Sequence, residues 1–319
     1  MAPPSPEQEM PPRIVVIGSI NMDIVIHAER LPREGETVIG SDLRFFPGGK
    51  GANQAVAAAR LGAETFMVGR VGKDSFGEPL RLGLLQNGIN CDHVIADEIA
   101  ASGTALIIIN PLGNNSILVA PGASQNVSSG DVDSVAELIR QADALLMQFE
   151  IPLETVAYAA EQAQAHGVLT IIDAGPATKC PPDLLTKADV LSPNETEAEA
   201  LVGIPIKDLP SAEKAARRLV DMGVKTLVLK LGDKGCLVAQ EGYIFHCPAF
   251  KVSPVDTTAA GDAFTAVLGV EMAKGEPLER AVRFANAAGA LSTLKLGAQP
   301  SMPPRDAVLN VLRERDAGR

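Results

Sequence analysis

A chain of 319 residues, 46% of them hydrophobic, is long enough to close one large domain or two small ones around a sizeable core. Its 28 basic and 39 acidic residues leave a formal charge of −11. That balance excludes a long-range electrostatic grip on nucleic acid or anionic lipid, and it obliges any anionic substrate to find local donors and a divalent metal.

In chain order, residues 1–12 carry Pro3, Pro4, Pro6, Pro11 and Pro12 and lack the apolar segment of a signal peptide. They are expected to be a frayed tail ahead of a single domain over 13–319. Short β-branched runs bounded by Gly, Pro or Asn follow at 14–20, 65–71, 144–149, 169–173, 190–192 and 226–231, and read as buried strands. Helical patterns lie between and after them at 51–61, 134–141, 153–166, 211–222 and 263–273, with Ser211 as a cap ahead of Lys214 and Gly223 behind Met222. Strands alternating with helices of this length, in a chain with only 3% aromatic residues and no Trp, predict an α/β fold. Its form would be a three-layer, doubly wound, mostly parallel sheet flanked by helices. Two segments break the rhythm. Residues 21–47 read strand, turn, strand, and 103–121 place two apolar runs around the turn-forming stretch 110–115. Four such strands can form a small β-sheet lid over a ligand that also pairs with another subunit; surface hairpins without consequence are the alternative.

Asp256-Thr257-Thr258-Ala259-Ala260-Gly261-Asp262 runs directly into a helical pattern. Small residues entering a helix expose the amides of Ala259, Ala260, Gly261 and Asp262 at the positive end of its dipole, where a phosphate binds. The Asp262 carboxylate on the same turn can take the proton of an incoming hydroxyl, as phosphoryl transfer to an alcohol requires. A capped structural helix is the bland reading of the same residues. Upstream, Pro47-Gly48-Gly49-Lys50-Gly51-Ala52-Asn53-Gln54 is not a P-loop, because Gly51 follows Lys50 and the upstream Gly is missing. Its glycines instead let a polyol approach the backbone, with Lys50 and Asn53 as donors, or they simply make a tight connection. Asn21 and Asp23 alternate onto one face and can bond vicinal hydroxyls, or act as turn formers. Asn194 and Glu197, three apart at a helix start, share a face suited to water-shelled Mg²⁺, or cap that helix.

Other chemistries find no support. Cys91, Cys180, Cys236 and Cys247 lack CxxC spacing and read as buried reduced thiols in a reducing, cytoplasmic compartment. The four histidines show no ligand spacing, no nucleophile elbow occurs, and no GxGxxG fingerprint supports a nicotinamide enzyme. No apolar run reaches the roughly 20 residues that span a bilayer.

Taken together, GSINMD, GGKGANQAVAAARLGA, LLMQFEIPLE, LSPNETEAE, LGDKG, DTTAAGD and LGAQPS resemble, in order and spacing, the ribokinase branch of the carbohydrate kinases. The likeness runs from about Arg13 to about Leu312. It implies transfer of the γ-phosphoryl of MgATP to a small sugar, ribose first among the candidates, with Asp262 as general base and Ala259, Ala260 and Gly261 as anion hole. It also implies sugar contacts from Asn21, Asp23, Gly49, Lys50, Asn53 and Glu150. The nucleotide contacts it implies are Asn194, the loop from Lys230 through Gly232 to Gly235, Gly261 and Asn286, with Glu197 organising the Mg²⁺ of MgATP. A monovalent cation, usually K⁺, is implied beside Asp256, Thr258, Ser292, Lys295, Gly297 and Ser301, and a homodimer clasped through the lid sheets. Lys230 departs from the Thr common in ribokinases; it either adds charge to the triphosphate site or ends a strand in solvent. Deoxyribose, fructose, a sugar acid or a nucleoside remain alternative substrates.

Overall fold

The computed structural model describes residues 10–111 and 115–318. Residues 1–9 of the expected tail and 112–114 of the second expected turn lie outside them. The strands in chain order are β1 (Arg13–Ile17), β2 (Asn21–His27), β3 (Ser41–Gly48), β4 (Glu64–Gly72), β5 (Asn90–Asp97), β6 (Gly103–Ile109) and β7 (Asn115–Ala120). They continue with β8 (Ala144–Gln148), β9 (Leu169–Asp173), β10 (Val190–Leu191), β11 (Thr226–Lys230), β12 (Cys236–Gln240) and β13 (Tyr243–Cys247).

The main sheet has the order β13-β12-β11-β10-β9-β8-β1-β4-β5. Its pairs are parallel from β5 through β11, and β12 and β13 add an antiparallel edge. Strands covered on both faces must be apolar throughout, which is why β1 and β8 read as unbroken hydrophobic runs. Side chains alternate between faces. Ile14 and Val16 join the core under helices Lys50–Arg60, Ala260–Ala273 and Leu278–Ser292. Val15 and Ile17 join the opposite core under helices Leu153–Ala165 and Leu209–Asp221. The result is the expected three-layer α/β architecture.

The two rhythm-breaking segments pair as hairpins, β2 with β3 and β6 with β7, joined by a parallel β2–β6 pair into a sheet of order β3-β2-β6-β7. Val25, Ala105 and Ile107 give it a small core of its own.

Several elements differ from expectation for identifiable reasons. The expected helix over 134–141 is two short helices, Ser129–Ser134 and Ala136–Arg140, interrupted at Val135 by a non-helical backbone. The helix expected from Ser211 begins at Leu209, because Asp208 is its cap and Ser211 the third residue of a capping box. β5, β12 and β13 were not foreseen; β5 and β13 mix polar and apolar residues without clean alternation.

Candidate active site

Parallel strands deliver residues at their carboxyl ends, the usual place for a site in an open α/β sheet. Here β8 leads to Glu150, β9 ends on Asp173, β10 leads to Asn194 and β11 ends on Lys230. Glu150, Asn194 and Lys230 border a cavity of about 810 Å³, closed on another side by Ala105, Ile107, Ile117 and Val119 of the small sheet. Asn21, Asp23, Gly49, Lys50, Asn53, Glu150, Asn194, Glu197, Lys230, Gly232, Gly235, Asn286 and the turn from Thr258 to Asp262 all line it.

The helix carrying Asp262 begins at Ala260 rather than Ala263, so the carboxylate sits in its first turn. Its cap, Ala259, has a φ of 61°, the left-handed region that an alanine rarely occupies. The Ala260 amide donates to the Thr257 carbonyl at 3.3 Å, and the first helical bond runs from Ala263 to Ala259 at 3.0 Å. The amides of Gly261 and Asp262 therefore point from a helix N-terminus without a backbone acceptor, which suits them to an anion.

Asp262 is buried and accepts a hydrogen bond from Asn53 Nδ2 at 2.8 Å on Oδ2. Its Oδ1 has no hydrogen-bond partner and lies 3.6 Å from Lys50 Nζ. Burial drives the Asp262 pKa up and Lys50 opposes it; with Asp173 and Glu150 adding repulsion, the carboxyl is raised to about 6. Burial followed by Glu150, Asp262 and Asp256 pushes Asp23 up to about 7. Burial pulls Lys50 down, but Asp173, Asp262, Glu197 and Glu150 surround it and hold it well above the usual lysine value.

Local folding explains how these groups meet. Gly49 has a φ of 86°, and a Cβ there would stand 2.7 Å from the Asn21 amide nitrogen, so only glycine lets the helix at Lys50 start against the end of β1. The Lys50 amide then donates to Glu150 Oε2 at 3.0 Å, and Ser19 Oγ donates to the same oxygen. Gly48 and Gly103 leave the space occupied by the Asp23 carboxylate and the Asn21 amide. Asn21 Oδ1, Asn53 Oδ1 and Asp262 Oδ1 are buried without hydrogen-bond partners, and all three belong to residues lining the cavity. Unsatisfied buried acceptors are costly, so this cluster is built for a ligand rich in hydroxyl donors.

Asn194 and Glu197 take the capping alternative, while both line the cavity. Asn194 Oδ1 accepts from the Glu197 amide at 2.9 Å and Glu197 Oε2 from the Asn194 amide at 2.7 Å, a reciprocal capping box. Glu197 Oε1 is left 3.9 Å from Lys50 Nζ. Lys230 does not end its strand in solvent: it is 7% exposed, its Nζ donates to Asp173 Oδ2 at 2.9 Å, and a Cβ on Gly261 would lie 3.4 Å from it. Asp173, which sequence reasoning missed, also accepts from Thr265 at 3.0 Å and lies 3.9 Å from Lys50. Although burial opposes it, Lys230 and Lys50 hold Asp173 below the ordinary carboxylate pKa. An acid terminating the apolar run Leu169–Asp173 was the available signal.

Asn286 Nδ2 donates to the Cys247 carbonyl at 3.2 Å. Asp256 gathers the segments expected around a monovalent ion, accepting from the Thr258 amide at 2.9 Å and the Gly297 amide at 2.8 Å. The Ser292 and Ser301 hydroxyls are spent on Gly289 and Ala298 carbonyls, and Lys295 is exposed.

Residues 11–305 match the description pfkB family carbohydrate kinase. A ribokinase from Haemophilus influenzae is 40% identical over 299 residues, covering 94% of this chain and 98% of that protein. A deoxyribokinase from Salmonella typhi is 36% identical over 91% of this chain and 95% of its own length. The solved structure of Arabidopsis thaliana ribokinase complexed with ribose and ATP superposes with a TM-score of 0.86 at 37% identity, covering 95% of this chain and 99% of that one.

Proposed function

The chain belongs to the pfkB family of carbohydrate kinases, and from that premise we infer that it transfers the γ-phosphoryl of ATP to the 5-hydroxyl of D-ribose, giving ribose 5-phosphate. The observation that carries this reading is the juxtaposition of Asp262 with the free amides of Gly261 and Asp262, beside unsatisfied acceptors suited to sugar hydroxyls. The Arabidopsis ribokinase that binds ribose and ATP shares this fold over nearly the whole chain.

Asn21, Asp23, Gly49, Lys50, Asn53 and Glu150 bind the sugar and aim its 5-hydroxyl at Asp262, which takes the proton as the oxygen attacks phosphorus. The free amides of Gly261 and Asp262, aimed by the turn at Ala259 and Ala260 whose Ala260 amide is spent on Thr257, face the charge that develops on the transferring group. Lys50 adds a fixed positive charge within the same dry space. Asn194, Lys230, Gly232, Gly235, Gly261 and Asn286 form the nucleotide side. The small sheet acts as a lid that keeps water from the phosphoryl group. Among the described residues no group of three or more metal-binding side chains converges. Glu197, with Oε2 held by the Asn194 amide and Oε1 3.9 Å from Lys50 Nζ, is the acid that would help hold an Mg²⁺ arriving with the nucleotide, and the ion would supply charge neutralisation. The Asp256, Thr258, Ser292, Lys295, Gly297 and Ser301 set lies on segments tied by Asp256, and with the Asp256 carboxylate and both serine hydroxyls engaged it is the backbone carbonyls that would hold K⁺, which would steady the anion-hole turn. The apolar outer face of the small sheet supports a homodimer, and the enzyme is assigned to the cytoplasm with sugar and ATP as its partners.

A coupled assay of ADP release over ribose, deoxyribose, fructose, a sugar acid and a nucleoside tests the reading. Ribose is expected to give the highest kcat/KM, with no ADP released in the absence of either sugar or Mg²⁺. A higher kcat/KM with deoxyribose, the reading favoured by the likeness to the Salmonella enzyme, would replace the substrate; ADP release independent of sugar would overturn the function.

A further inference from the structure

Cys236 and Cys247 are the first and last residues of β12 and β13 and stand directly opposite each other in the antiparallel ladder. Directly opposed Cβ atoms in such a ladder are about 4.5–5.5 Å apart, within a small adjustment of the roughly 3.8 Å of a disulfide. Both thiols are free. Asn286 Nδ2 bridges them, 3.2 Å from Cys247 Sγ and 3.6 Å from Cys236 Sγ. Asn286 lines the cavity, as does Gly235, which precedes Cys236 and lies against the Cys247 carbonyl. The pair thus lies behind the cavity-lining Asn286, and the phosphoryl-transfer reading gives it no task.

The two sulfurs are not equivalent. The neighbouring Cys236 thiol, with Asn286, Arg315 and Arg283, outweighs burial and brings Cys247 down to about 6. The neighbouring Cys247 and burial push Cys236 up. A stabilised thiolate beside a resolving thiol is the arrangement that reacts with peroxides, and of the two Cys247 keeps the residual exposure, 7% against 0% for Cys236.

We propose that Cys236 and Cys247 form a dithiol modification site in the nucleotide wall that hydroperoxides convert to a disulfide, weakening nucleotide binding through Asn286. The Cys247 thiolate attacks one peroxide oxygen; the O–O bond breaks, leaving a sulfenic acid and hydroxide. The Cys236 sulfur then displaces hydroxide from the sulfenic sulfur, and its proton leaves with that hydroxide as water. Two thiols lose two electrons and two protons, and hydrogen peroxide becomes two waters. The bridge redirects the sulfur acceptors on which Asn286 rests.

This coupling rests on the nucleotide-site reading, so the test separates the two. Nucleotide-free, full-length enzyme is treated with hydrogen peroxide at a few equivalents, alkylated under denaturing conditions and mapped without reductant. Binding of a non-hydrolysable ATP analogue is titrated before and after. The expected result is a Cys236–Cys247 link, prevented by bound MgADP, with affinity for the analogue falling about threefold to tenfold and restored by dithiothreitol. A Cys91→Ser/Cys180→Ser variant should respond in the same way, and a Cys236→Ser/Cys247→Ser variant should keep its affinity through the treatment. Recovery of both cysteines as alkylated thiols, a link with unchanged affinity, or equal loss in the Cys236→Ser/Cys247→Ser variant would overturn the proposal. Untreated enzyme that binds no ATP analogue would instead overturn the assigned function, and the presence or absence of the mapped link would then decide the dithiol site by itself.

Discussion

Asp262 and Asp23 share one dry space, and both carry pKa values raised above the ordinary carboxylate, to about 6 and about 7. A raised value means that the protonated form persists to higher pH, so the active, ionised site is lost as pH falls through that window. The kcat/KM for ribose should accordingly decline on the acid side between about 7 and about 6, and Asp23→Asn should leave a limb near 6 alone. A profile flat down to pH 5 would contradict the assignment. Lys230 and Asp173 behave differently, as a buried ion pair at 2.9 Å. Lys230→Met strands Asp173 in the core and is expected to cost about 3–5 kcal/mol in urea unfolding, most of it recovered in the Asp173→Asn/Lys230→Met double variant. At this scale the sequence made Asp262, Lys50, Asn53, Asn21 and Asp23 legible because they sit in motifs with unusual glycine or small-residue content. Asp173 and Thr265 stayed hidden because each is a polar residue in a largely apolar element with no motif around it, and only the packing of β9, β11 and the Asp262 helix brings them to each other and to Lys230.

Where each element starts determines what it presents. The helix at Ala260 opens three residues before its helical pattern suggests, and its left-handed cap at Ala259 is what turns the Gly261 and Asp262 amides outward. Ala259→Gly relieves that conformation, and we expect a stability gain of about 0.5–1 kcal/mol in urea unfolding with kcat retained. A loss of stability would show that Ala259 makes a contact worth more than its strain. The parallel strands were readable because burial on both faces demands unbroken apolar runs. The helix Leu209–Asp221 was found, yet its cap was misplaced by three residues because Asp208 and Ser211 compose one reciprocal capping box. β5 and β13 escaped because edge strands need not be apolar.

Across the molecule, the main sheet supplies the chemistry at its carboxyl edge and the small sheet closes over it. On the face of the small sheet turned away from the cavity, Leu118, Leu106 and Phe45 stand in register at 71%, 38% and 51% exposure, an apolar surface suited to a second copy. Light scattering should give a dimer, and Leu118→Glu should shift it toward monomer; a monomeric parent chain would remove this part of the account. The hairpins were visible in the sequence, but their union through the parallel β2–β6 pair joins strands far apart in the chain and no local pattern encodes it. The central claim is that Asp262 is the base toward which both sheets direct the sugar. The most direct measurement is the turnover of Asp262→Asn at saturating ribose and MgATP, alongside calorimetric ribose affinity. The account predicts a kcat lower by about 10²–10⁴-fold with ribose affinity nearly intact. Turnover comparable to the parent enzyme would contradict it.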